Sequence, residues 1–171
     1  MRVVASLGLP RTDPIAAATA LAEVAVEHEL VITHAPDPAD GPASAIAREL
    51  AARLRPTAVA TLLTKAVTDE DGELRVIEQA AVEALLDAGI VAVCEAEDDS
   101  FDPALATAAL AIGLHADLLL LLTPDPDAPS HELAAVRFRR TGGRAAIGRL
   151  HHAAALVRGE AGRQLVPRGA L

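Results

Sequence analysis

Five carboxylates fall within the eight positions from Glu95 to Asp102, a density of oxygen donors that could hold Mg²⁺ or Ca²⁺. The spacing argues for another use. The segment has neither the alternating ligands nor the central glycine of a calcium loop, and a block of like charge stays in water. It reads as a solvated loop whose last member, Asp102, caps a helix opened by Pro103. The stretch from Thr33 to Gly41, rich in proline and aspartate, follows an apolar run of strand length. In an open α/β sheet ligands bind beyond the carboxyl ends of strands, so this loop is a candidate binding element as well as a connector.

The other reactive residue types carry structural readings. His151 and His152 are adjacent, and on a helix their side chains diverge by about 100°, too far to share one ion. They are expected at a helix start. His28, His115 and His131 fall near helix ends with no partner pattern. Cys94 has no recognisable histidine partner, there is no Gly-x-Ser-x-Gly elbow, and a buried strand position suits a lone cysteine. Gly142-Gly143-Arg144 follows a helix and precedes a strand, the reverse polarity of an anion-binding glycine loop, so turn chemistry accounts for it. Neither a metal site nor a catalytic residue is expected.

Composition narrows the function classes. A formal net charge of −9, with no Trp or Tyr, leaves neither a basic face for counterion release nor aromatic platforms for bases. Nucleic acid is excluded as a partner. The run from Leu118 to Leu122 is far short of the roughly 20 residues that span a bilayer, so no membrane segment is expected. The chain reaches Pro10 and Asp13 without an extended apolar stretch and has one cysteine, which together predict a cytoplasmic protein. Lys65 is its only lysine. Within the apparent third strand, Lys65 reads as a surface or edge-strand charge that discourages edge-to-edge pairing.

Short β-branched runs alternate with Ala/Leu-rich segments of helical length, the pattern of a parallel sheet covered on both faces. Strands are predicted near residues 2–7, 29–33, 57–67, 90–94, 117–122, 144–148 and 163–166. Helices are predicted at about 13–28, 42–54, 76–87, 102–115, 130–140 and 150–158. A polar turn, 68–73, and the acidic loop separate elements but are too short to link domains, so one domain over 1–171 is expected.

Several segments, in order, resemble carbamate kinases of the amino acid kinase family. Val3-Val4-Ala5 is similar to that family's first strand, and His28 to His34 to the strand it ends in T-H-G-N-G-P-Q. Arg55-Pro56 with Val59 to Thr64 resembles its next signature. Ala116 to Thr123 resembles A-D-L-L-L-I-L-T, and Thr141 to Gly148 resembles T-G-G-R-A-I-I-G. The resemblance implies a three-layer αβα sandwich with a mainly parallel sheet, and dimerisation across a helix-covered sheet edge. The protruding lid that the family inserts after the third strand is missing from so short a chain.

The departures bear on activity. Ser6-Leu7-Gly8-Leu9 keeps one glycine of the family's first loop, and Ala35-Pro36-Asp37-Pro38-Ala39 replaces G-N-G-P-Q. A four-glycine turn becomes Glu95-Ala96-Glu97. The D-K-D motif becomes Asp102-Pro103-Ala104, and G-P-K becomes Ala128-Pro129-Ser130, so both lysines are gone. Phosphoryl transfer depends on donors and cations aimed at phosphate oxygens. The resemblance therefore implies a kinase scaffold without phosphotransfer, acting as a structural or regulatory subunit, as a homodimer or with a larger partner protein. ATP and Mg²⁺ would be needed only by the alternative, an active phosphotransferase whose site is rebuilt around arginine. A third reading is a non-catalytic small-ligand sensor. Its crevice candidates are Ser6, Gly8, Thr33, His34 and Asp102, with Thr123 and Asp125 on the nucleotide side.

Overall fold

In the computed structural model, which describes residues 1–7, 12–36 and 42–167, the apolar runs assemble as a seven-stranded sheet in the order β3-β6-β2-β1-β7-β8-β9. The strands are β1 (Arg2–Leu7), β2 (Glu29–His34), β3 (Val59–Thr64), β6 (Val91–Ala96), β7 (Leu118–Leu122), β8 (Arg144–Gly148) and β9 (Arg163–Leu165). Every pair is parallel except β8 with β9. The helices are α1 (Pro14–Glu27), α2 (Pro42–Arg53), α3 (Gln79–Asp87), α4 (Pro103–Gly113), α5 (Pro129–Arg139) and α6 (Ala153–Arg158).

Side-chain alternation along the strands divides the core in two. Val3, Ala5, Leu30, Ile32 and Leu120 pack with Leu21 of α1, Ile46 of α2 and Leu156 of α6. Val4, Val31, Cys94, Leu119 and Ile147 pack with Val82 of α3, Ala108 of α4 and Phe138 of α5. This is the αβα sandwich expected. Cys94 is fully buried, and burial pushes its thiol up to about 12, which fits the small apolar role assigned to it.

Local chemistry sets the helix boundaries. Asp13 Oδ1 accepts the Ile15 amide at 3.0 Å, with Pro14 opening α1. Asp102 Oδ1 accepts the Ala104 and Leu105 amides at 2.9 and 3.2 Å, with Pro103 opening α4. Both are side-chain caps followed by proline at the first helical position. Gly142 takes φ of +96° after α5, and a Cβ on Gly143 would lie 2.3 Å from the Phe138 ring. Those two glycines are there for the turn and for close packing.

Three element boundaries differ from expectation. The strand predicted at 57–67 ends at Thr64, and the chain turns into a two-stranded antiparallel hairpin of β4 (Ala66–Thr68) and β5 (Leu74–Val76). Asp69 Oδ1 closes its turn by accepting the Asp71 and Glu73 amides, and Gly72 takes φ of +80°. The helix predicted from 76 starts at Gln79, because Val76 is paired with Ala66 and Ile77 donates to the Lys65 carbonyl at 3.0 Å. β6 runs on to Ala96, so Glu95 and Ala96 belong to the sheet, with Glu95 in register beside His34. Between β3 and α3 the described chain carries this hairpin and no lid. No helix among the described residues is long and apolar enough to cross a membrane.

Candidate functional site

Because β1, β2, β3, β6, β7 and β8 run parallel, their carboxyl ends line one edge of the sheet, where ligands of open α/β folds bind. Two of the depressions at this edge lie on opposite sides of β1. The first is a cavity of about 40 Å³ among the ends of β2, β3 and β6, the hairpin and the first half of α4. Thr33, His34, Thr64, Asp98, Phe101 and Thr107 lie in its wall, and Ala66 and Val76 of the hairpin close it. The second, of about 440 Å³, lies beyond β1, β7 and β8 and is lined by Thr12, Thr123, Arg149 and His151, among others.

The sequence candidates divide between these places. Thr33 and His34 meet in the first cavity and Thr123 lines the second. Ser6 is buried in β1, in register with Thr33. Gly8 lies outside the described residues. Asp102 is exposed and caps α4, so its carboxylate is engaged by the helix it starts. Asp125 belongs to a turn in which its amide donates to Thr123 Oγ1 at 3.1 Å and its own Oδ1 accepts the Asp127 amide at 3.3 Å. Neither aspartate lines its depression.

Hydroxyl protons in the first cavity are committed to the protein. Thr107 Oγ1 donates to the Pro103 carbonyl at 2.7 Å. Thr33 Oγ1 lies 2.6 Å from Thr107 Oγ1 and 3.4 Å from the Ala5 carbonyl, so its single proton goes to one of these two oxygens. Thr64 Oγ1 donates to the Glu95 carbonyl at 3.2 Å. The N-terminal amides of α4 are taken by Asp102, and Pro103 has none. His34 Nδ1 lies 2.6 Å from the Ala35 carbonyl and must donate to it. In the neutral ring this leaves the lone pair on Nε2, which is buried and has no hydrogen-bond partner.

The one lysine stands at the rim of this cavity. Lys65 is half-buried between Thr64 and Ala66, which line the cavity, with Nζ 3.7 Å from Glu97 Oε2 and near enough to Asp98 to lower its pKa, and it immediately follows the edge strand β3. Among the described residues no arginine lines the first cavity. Arg149 and His151 line the second instead, and sequence reasoning missed both. Their signal was their position directly after the apolar strand ending at Gly148. The two adjacent histidines sit on a 3₁₀ turn, Leu150–His152, with ring centroids 4.0 Å apart, rather than diverging on an α-helix. Among the described residues no group of three His, Cys, Asp or Glu side chains is placed to hold a metal.

His131 is the other residue passed over. It lies in the first turn of α5, is buried, and leaves Nδ1 without a partner. Burial lowers its pKa from the ordinary 6.5, against the opposing pull of Asp102 and Asp125. As pH falls below 6.5 the unfolded chain takes up the proton first, so stability declines with falling pH until the lowered folded-state value is passed. His131→Gln is expected to flatten that decline, read from urea midpoints taken between about pH 7.5 and about pH 5.

This arrangement of layers, strand order and edge crevice defines the fold of the amino acid kinases. Among solved structures that share it is the carbamate kinase of Giardia lamblia, with a TM-score of 0.76 at 15% identity over 97% of this chain and 98% of that one. The same enzyme bound to AMP-PNP gives 0.72 at 14% identity, over 96% and 97%. Uridylate kinase from Archaeoglobus fulgidus gives 0.59 at 14%, over 95% and 98%. At such identities the likeness is one of fold. No family model matches the chain, and no curated protein matches its sequence.

Proposed function

We propose that this chain is a carbamate kinase-like protein that no longer transfers phosphoryl groups and serves as a structural or regulatory subunit, as a homodimer or with a larger partner protein, without ATP or Mg²⁺ as cofactor. One observation carries the reading: among the described residues, the groups a phosphate needs around the first cavity are absent or engaged. The positions matching the family's two lysines hold Pro103 and Ser130, both in the first turns of helices. The α4 amides beside the cavity are occupied by the protein's own carboxylate. An acidic residue adds to this, since Asp98 lines the cavity and would repel a negatively charged substrate.

The second depression favours one other reading, a phosphotransferase rebuilt around arginine. Arg149 is exposed there beside Thr123 and His151, and a guanidinium can hold phosphate through two hydrogen bonds. Calorimetry with ATP, with and without Mg²⁺, separates the two, run on protein whose oligomeric state is known from light scattering. The subunit reading expects no binding below millimolar concentrations. Micromolar binding lost in Arg149→Ala would move the assignment to the rebuilt enzyme.

A further inference from the structure

We infer that the first cavity is a binding site for a small aliphatic ammonium ion, a ligand of opposite charge to phosphate. The inference rests on the reading that this edge of the sheet has given up phosphate, and it adds what the cavity takes instead. The apolar part of the wall comes from Val76, Phe101, Ala106 and Leu110. Among the described side chains, the hydroxyls of Thr33, Thr64 and Thr107 and the carboxylate of Asp98 offer the cavity acceptors. The hydroxyl protons of Thr33, Thr64 and Thr107 are all donated to protein oxygens, and their remaining lone pairs can accept from a ligand.

Asp98 adds a charge at the exposed margin of the cavity. Hydrogen bonds from Ser100 hold its carboxyl below the usual range, so it is ionised at neutral pH. A carboxylate or phosphate entering here would meet these acceptors and leave the oxygens facing them unpaired, which is unfavourable. An ammonium group matches the same set with three donors, while its hydrocarbon part covers the aliphatic wall. The volume of about 40 Å³, room for roughly three waters at about 10–15 Å³ each, sets the size at a few heavy atoms.

Isobutylammonium and isobutanol share shape and size, isobutyrate keeps the four-carbon branched skeleton with one more oxygen, and the three differ in charge and donor number. Titrated separately into the full-length protein and followed by amide NMR, the ammonium is expected to shift Thr64, Ala96 and Thr107 saturably, the alcohol to do so more weakly, and isobutyrate not at all. Asp98→Asn alters an exposed side chain and is expected to weaken the ammonium by about two- to fivefold, the range of an exposed ion pair, leaving the alcohol unchanged. Ala106→Leu, which fills the cavity, is expected to abolish the shifts in a protein whose spectrum otherwise stays dispersed. Isobutyrate binding as tightly as the ammonium, or no saturable shift with any of the three, overturns the assignment. Carbamate-dependent ATP turnover would overturn the subunit reading instead, while the NMR titration still reports which charge the cavity accepts.

Discussion

Phe138→Ala is expected to lower the unfolding free energy by about 3–5 kcal/mol, the usual range for removing a fully buried aromatic ring. The core has little to put in its place. Phe101 and Phe138 are the only aromatic residues in the chain apart from histidine, and apart from Cys94 the other buried hydrophobic side chains among the described residues are alanine, valine, leucine and isoleucine. Phe138 has no solvent exposure and packs in the cluster that joins α3, α4 and α5 to the sheet. It also sets the turn that follows, because its ring occupies the space a Cβ of Gly143 would need and its carbonyl accepts the Thr141 amide at 3.0 Å and the Thr141 hydroxyl at 2.7 Å. Losing the ring leaves a cavity that rigid neighbours cannot close. With total stabilities of about 5–15 kcal/mol usual for domains, the variant should be partly unfolded at physiological temperature. Urea denaturation checks this. Phe138→Leu, which keeps most of the volume, should cost substantially less, and a loss below about 1 kcal/mol for Phe138→Ala would show that the α5 packing described here is wrong.

The residues behind that prediction show which parts of the structure were legible in the sequence. The sheet could be read because its strands are buried on both faces and appear as uninterrupted apolar runs, Leu118 to Leu122 most plainly. α1 and α4 announced themselves through Asp-Pro starts, where cap and proline act within three residues of each other. The hairpin did not. Three-residue strands are too short to show alternation, and the apolar spacing from Val76 to Leu86 imitates the helix that begins only at Gln79. The cavity was half visible: Thr33 and His34 follow from lying at a strand end. Thr107 could not be foreseen, since its role depends on a contact across 74 residues of sequence with Thr33. Asp102 was misplaced for a related reason, because a carboxylate at a helix start satisfies local amides before it can serve a ligand.

Given Mg²⁺, ATP and carbamate, the protein is expected to turn over at least about 10²–10³-fold more slowly than an intact carbamate kinase assayed in parallel, the usual effect of losing one preorganised donor. More than one donor is missing. Neither Pro103 nor Ser130 can supply an ammonium group, Lys65 faces Glu97, and the hydroxyls nearest the first cavity have no proton to give. Such losses act on one transition state and do not add, so the single-donor figure is a lower bound rather than a term in a product. The same reasoning predicts what one substitution cannot do. Ser130→Lys restores a cation at one matched position, yet the α4 amides stay occupied by Asp102, and Asp98 still lines the cavity. Its turnover should stay at background in a coupled-enzyme assay. Turnover rising to within tenfold of the intact enzyme would mean that the acceptor-lined edge tolerates phosphate and that one missing charge, not a reversed site, separates this protein from a working kinase.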